Sequence, residues 1–183
     1  LCMYFHNNPE TQLFNGKLLT LGGSHQINSL SNDSFYGDLS AILIQNLPFW
    51  IQLFRTPERS IALMDEWEEK IEMMAKTTMF ENVTNIAGVP SWTLVLLKRI
   101  LEISGKRDLT EIWPHLELFV HGAVSFTPYK DQFRKLIPKS DMFYLETYNA
   151  SEGFFGIQDR LYGDDMLLML DYGIYYEFLP VSE

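Results

Sequence analysis

The sequence predicts an α/β fold, a mostly parallel sheet flanked by helices with a hairpin at its C-terminal end. Three observations predict it. From Val83 onward, short apolar runs alternate with stretches whose apolar residues recur every three or four positions. Proline and glycine punctuate the boundaries between them. Strands joined through helices run parallel, because a helix-long crossover returns the chain to the same end of the sheet.

The elements follow in order. Residues 18–21 read as a short strand ending at Gly22-Gly23-Ser24, and a polar loop rich in Asn and Ser comes next. Residues 37–54 have a helical pattern broken near Pro48, which lacks a backbone donor. Thr56-Pro57-Glu58 reads as a helix start, with Thr56 as N-cap and Pro57 in the first turn. Met64, Trp67, Ile71 and Met74 then mark the apolar face of one amphipathic helix. The acidic run from Asp65 to Glu69 reads as its solvated face, and the methionines as core filler.

The second half reads β-α-β-α-β. Residues 83–87 form a strand, and Ser91 caps a helix carrying Leu94, Leu97 and Leu101 that Gly105 closes. Residues 116–120 form the next strand. Thr127-Pro128 starts a helix with Phe133, Leu136 and Ile137 on its apolar face, and residues 142–148 form the third strand. Residues 166–170 and 174–179 are expected to pair as a hairpin across Asp171-Tyr172-Gly173. There is no internal repeat.

Every strand of a parallel sheet ends on the same edge, where ligands bind. Three loops are expected there: Gly88-Val89-Pro90-Ser91, His121 to Ser125, and residues 149–158. The third presents Tyr148, Asn149, Ser151 and Glu152 in one dense polar cluster. The same edge geometry makes Val89 and Trp92 candidates for lining a pocket.

Composition narrows the function. The 183 residues suit one domain, and the net charge of -10 repels nucleic acid. The single cysteine, Cys2, suits a reducing cytoplasm, and no apolar run is long enough to span a bilayer. The sequons at Asn32, Asn82 and Asn149 read as chance. Leu1 at one end and Val181-Ser182-Glu183 at the other lead us to expect an internal piece of a longer protein.

The residues themselves leave roles open. A carboxylate at Glu152 can hold Mg²⁺ together with substrate phosphates, act as a general base, or simply stand exposed. Tyr148 can stack on a ring or finish the core, and Ser151 can donate to a phosphate or close a turn. Gly22-Gly23-Ser24 lacks the Gly-Lys-Ser/Thr of a phosphate loop, so it reads as a turn. His6, His25, His115 and His121 lack metal-ligand spacing, and no Gly-x-Ser-x-Gly nucleophile elbow is present.

Tyr148-Asn149-Ala150-Ser151-Glu152 resembles the Tyr-x-x-Ser/Thr-Glu motif of adenylate-forming enzymes. Gly153-Phe154-Phe155-Gly156-Ile157, Ile112-Trp113-Pro114, Gly122-Ala123 and Tyr176-Glu177-Phe178-Leu179-Pro180 narrow the resemblance. Together they look like the auxin-responsive Gretchen Hagen family of acyl acid amido synthetases, in a bacterial version. The resemblance implies ATP-dependent activation of a carboxylic acid to an acyl-adenylate, with Mg²⁺, and transfer of the acyl group to an amino acid. It implies that Glu152 is the catalytic Mg²⁺ ligand, that Tyr148, Asn149 and Ser151 lie at the adenylate, and that Gly122 and Ala123 line the adenine slot. Phe154 matches an aromatic position beside the acyl pocket. The family's phosphate loop, ribose-binding Asp motif and C-terminal lysine domain are absent from this sequence. Residues 1–183 are therefore expected to be one partial domain, the central part of the adenylation domain, inactive alone. A thiol acceptor, as in acyl-CoA ligases, or a non-catalytic acyl- or nucleotide-binding module remain the alternatives.

Overall fold

The structure is a computed structural model that describes residues 2–23, 28–31, 34–36, 38–160, 163 and 165–180. Leu1, Ser24, His25, Asn32, Gly37 and residues 181–183, singled out above, lie outside the described residues. Helix α1 (Cys2–Asn7) and a 3-10 turn (Leu13–Asn15) precede strand β1 (Lys17–Leu21). Where a polar loop was expected, β2 (Asn28–Ser31) and β3 (Ser34–Tyr36) pair as a small separate antiparallel sheet. Such backbone pairing has no apolar periodicity to announce it. Helix α2 (Leu39–Asn46) is capped by Asp38, which accepts from the Ser40 and Ala41 N–H groups. The helix stops before Pro48, and a 3-10 turn (Phe49–Phe54) leads to the two-residue strand β4 (Arg55–Thr56).

Two expectations about the next helix are corrected. Thr56 is no N-cap, because it pairs with Leu19 of β1 and its backbone belongs to the sheet. The Thr56–Pro57 peptide is cis, and α3 (Arg59–Ala62) begins only after Glu58. The single amphipathic helix is in fact two, since the chain breaks after Ala62 and α4 (Trp67–Thr78) starts afresh. Ile71 and Met74 are buried on α4, Met64 packs against the core from the loop, and Trp67 is partly exposed at the helix start.

The second half follows the expected order: β5 (Val83–Gly88), α5 (Pro90–Ser104), β6 (Leu118–Gly122), α6 (Lys130–Leu136) and β7 (Phe143–Ala150), with the three strands parallel. Ser91 does not cap α5. Pro90 opens that helix one residue earlier, with Val89 in the N-cap position. Gly105, at φ 65°, closes it by donating its N–H to the Leu101 carbonyl. Thr127 likewise makes no cap bond. The first turn hangs from the Phe126 carbonyl, which accepts from Tyr129 and Lys130.

The main sheet has seven strands in the order β4-β1-β5-β6-β7-β8-β9. It ends in antiparallel strands, as expected, through a different pairing. The chain folds back at Ser151-Glu152, so β8 (Gly153–Ile157) pairs with β7, and β9 (Leu167–Leu168) pairs with β8. Residues 174–179 pair with no strand among the described residues, and Tyr175, Phe178 and Leu179 stand exposed. The register slips between Tyr148, opposite Gly156, and Asn149, opposite Phe154. Phe155 is thus the extra residue of a bulge.

Strand alternation gives the sheet two faces. Leu19, Ile86 and Phe119 meet α4, α5 and α6 in one large core with Met74, Leu97 and Phe133. Trp113 closes its amino end, its indole N–H donating to the Thr78 carbonyl at 3.1 Å. On the second face, Tyr4 and Leu13 cover Leu118 and Leu145. Toward the carboxyl end that face stays open.

Candidate active site

The open face is a groove of about 1120 Å³. Its floor is the alternate set of strand residues: Leu18 and Thr20, Asn85 and Ala87, Val120, then Thr147 and Asn149. Leu43 of α2 and Trp50 and Phe54 of the following turn form one wall. Gly22, Gly23, Gly88, Val89, Trp92, Gly122, Ala123 and Ser151 line it at the carboxyl ends of the strands and just beyond.

Charge and hydrogen bonds fix this rim. The buried Lys70 ammonium donates to the Gly22 and Gly23 carbonyls at 2.9 and 3.0 Å. Burial pulls its pKa down, while Asp38 and Asp65 pull it back up. The Gly23 N–H donates to the Ser40 hydroxyl at 2.7 Å, tying β1 to the start of α2. Gly23 has no room for a Cβ, which would meet the Asp38 carboxylate.

The corner between β6 and β7 is tighter. A Cβ on Gly122 would collide with the Thr147 carbonyl oxygen, so only glycine lets the strands approach this closely. Ala123, at φ 69°, is the one non-glycine residue with a positive φ among the described residues. Non-glycine residues pay a steric cost there, and such positions cluster at functional sites. His121 lies just before this corner, 3% exposed, its ring stacked on Phe126 at 4.1 Å. Burial lowers its pKa to about 4, and its Nδ1 has no partner among the described residues.

Beyond the corner, β7 carries the chain past the rim to the hairpin tip, where Ser151 lines the groove and Glu152 is exposed. Glu152 makes no ion pair among the described residues.

With this geometry in view, the comparisons can be read. A family model described as the GH3 family N-terminal domain matches residues 1–142. The chain belongs to the GH3 family. A solved structure of a GH3.15 acyl acid amido synthetase matches with a TM-score of 0.62 and 10% identity, over 86% of this chain and 37% of that one. At that identity the likeness is one of fold, and this chain spans about 37% of that synthetase's length. No curated protein matches the sequence. The GH3 match carries the groove floor from β1 through β6 and ends just before β7, so the Tyr148–Glu152 cluster lies immediately past it.

The sequence-derived candidates of this GH3 chain separate into two groups. Val89, Trp92, Gly122, Ala123, Asn149 and Ser151 all line the one groove, though they come from distant segments. Tyr148, Glu152 and Phe154 do not line it. The Tyr148 ring lies 5.1 Å from that of Phe155, and Phe154 lies 6.2 Å from Tyr172. Sequence reading passed over Arg55, Thr20 and Asn85. Their only signal was a polar residue inside an apolar run, which many turns share. Among the described residues no three His, Cys, Asp or Glu side chains cluster to hold a metal, and no helix is long and apolar enough to cross a membrane.

Proposed function

We propose that this GH3 chain is the central part of the adenylation domain of an ATP-dependent acyl acid amido synthetase. The enzyme activates a carboxylic acid as its acyl-adenylate and passes the acyl group to an amino acid. The observation that carries this reading is the meeting, at the carboxyl edge of a parallel sheet, of the Gly122-Ala123 corner and Ser151 over one apolar groove, with Glu152 exposed beside Ser151.

In this reading the substrate carboxylate attacks the α-phosphorus of ATP and pyrophosphate leaves. The amino acid amine then attacks the acyl carbonyl and AMP leaves. The Gly122-Ala123 backbone, unscreened by side chains, forms the flat wall of the adenine slot. Asn149 and Ser151 donate to the adenylate from the groove floor and rim, and Tyr148 flanks Asn149 on β7. Val89 and Trp92 hold the acyl group, while Phe154 lies away from the groove against Tyr172. Glu152 would hold Mg²⁺, which would supply positive charge to the phosphates. Its donor chemistry fits, because Mg²⁺ takes one or two carboxylates together with substrate phosphates and waters. The exposed Glu152 offers one carboxylate, and among the described residues no all-protein cage competes with it. Residues 1–183 alone turn over no ATP in this reading. The reducing cytoplasm supplies the ATP.

The test is ATP–pyrophosphate exchange by the full-length protein against a panel of carboxylic acids, with amino acid or thiol acceptors added afterwards. Glu152→Gln should slow adenylation by about 10²-fold, roughly 3 kcal/mol, at unchanged melting temperature. Added Mg²⁺ should restore part of the rate. Wild-type activity of Glu152→Gln at limiting Mg²⁺ would overturn the metal role, and absence of exchange with every acid would overturn the adenylation reading.

A further inference from the structure

Arg55 is a buried cation in an apolar groove, 4% exposed. Its position follows from register. Arg55 pairs with Leu18, whose side chain lies on the groove floor, so Arg55 projects from the same face. Its Nη2 donates to the Thr20 hydroxyl at 3.1 Å and its Nη1 to the Gln52 side-chain carbonyl at 3.2 Å. Both acceptors are neutral. A guanidinium carries five N–H donors, so most of its fork is uncommitted among the described residues. Burial lowers its pKa, and among the described residues no carboxylate pushes back. Lys70, the other buried cation, has Asp38 and Asp65 to do so. A buried charge without a counter-ion is costly, and the planar guanidinium fork matches a carboxylate.

We propose that Arg55 binds a second carboxylate at the far end of the acyl acid, making the preferred substrate a dicarboxylic acid of medium length. This rests on the adenylation reading, which puts the activated carboxylate at the opposite end of the groove. Thr20 stands level with Ala87 and Val120 across β1, β5 and β6, and Gly122 lies two residues farther along β6. With strands about 4.8 Å apart, the Thr20 hydroxyl is about 12 Å from the Gly122 corner. An extended chain of about eight to ten bonds spans that distance, at roughly 1.2 Å per bond. Ala87 and Val120 lie between and suit methylene groups. Arg55 cannot also grip the activated carboxylate, since the hairpin tip that serves the phosphates is on β7, one strand beyond β6.

The experiment compares nonanedioic with nonanoic acid on the full-length protein, by calorimetric binding without ATP and by pyrophosphate release with ATP. The diacid should bind at least about tenfold tighter, the size expected for a charge-assisted pair. Arg55→Met should erase that preference without weakening the monoacid, and Arg55→Lys should restore part of it. Equal binding of the two acids by wild type overturns the proposal, whether because a carboxylate elsewhere in the protein already fills Arg55 or because Arg55 only braces β4. A diacid preference that survives in Arg55→Met overturns it too. If Arg55→Met fails to fold, Arg55→Lys and the wild-type comparison decide. Diacid binding that depends on Arg55 without pyrophosphate release would sink the adenylation reading and keep the anchor. Pyrophosphate release with no diacid preference would do the reverse.

Discussion

On the face packed by α4, α5 and α6, the strands present Leu19, Ile86 and Phe119, each at 0% exposure. On the opposite face the residues next door, Leu18, Thr20, Asn85 and Val120, look into a groove whose wall includes Leu43 and Trp50, both more than half exposed. The strands are the same and only the parity differs. One face has helices that bury its side chains. The other keeps polar groups among apolar ones and stays open at the edge where the strands end. Stability should therefore reside on the first face and recognition on the second.

The largest effect tests that division directly. Phe119→Ala removes a ring stacked on Phe133 at 4.8 Å and should cost about 3–5 kcal/mol in urea unfolding of the full-length protein. Leu43→Ser on the groove wall should stay within about 0.5 kcal/mol. Equal losses at the two sites would erase the contrast between the faces.

A smaller effect comes from His121, on the packed face at the groove's edge. Its folded-state pKa, about 4, lies below the ordinary value of 6.5. The unfolded chain then binds the proton more readily, so the stability from a neutral His121 is full above 6.5 and drains away as pH falls to about 4. The loss should reach up to about 3 kcal/mol. His121→Phe keeps a ring against Phe126 and should flatten that part of the pH–stability curve. An unchanged curve would mean that carboxylates alone set it.

The smallest effect concerns Ala123. Ala123→Gly relieves the positive φ but adds backbone freedom to the unfolded chain, for a net gain of no more than about 1 kcal/mol. A melting-temperature comparison checks it, and a clear destabilisation would show that the Ala123 methyl is packing against the corner.

The sequence made the packed face legible, because the spacing of Leu94, Leu97 and Leu101 or of Phe133 and Ile137 repeats with the helix turn. It also brought Val89, Gly122 and Asn149 to one edge, since parallel strands share a carboxyl end. The missed features lack local signals. Strand β4 is two residues long and exists only because β1 lies beside it. Ser151-Glu152 carries none of the Asn-Gly or Asp-Gly chemistry that announces a tight hairpin, and neither residue has a positive φ. Asp171-Tyr172-Gly173 has an aspartate and a glycine suited to a turn, and Gly173 does take φ 74°, but among the described residues those after it have no strand to join. Arg55 was hidden because its significance depends on which charges are missing around it.

The strand order has a bearing on how this polypeptide can be divided. β1 is inserted between β4 and β5, although the chain travels from Leu21 to Val83 before β5 begins. A piece starting at Val83 would keep every crossover from β5 to β7 and look self-sufficient in sequence. It would also leave β5 with a full row of unpaired backbone groups, the type of margin on which strands from neighbouring molecules assemble. The chain before Val83 is thus the hem of the sheet, and the same stretch that seals it supplies the arginine and the wall of the groove.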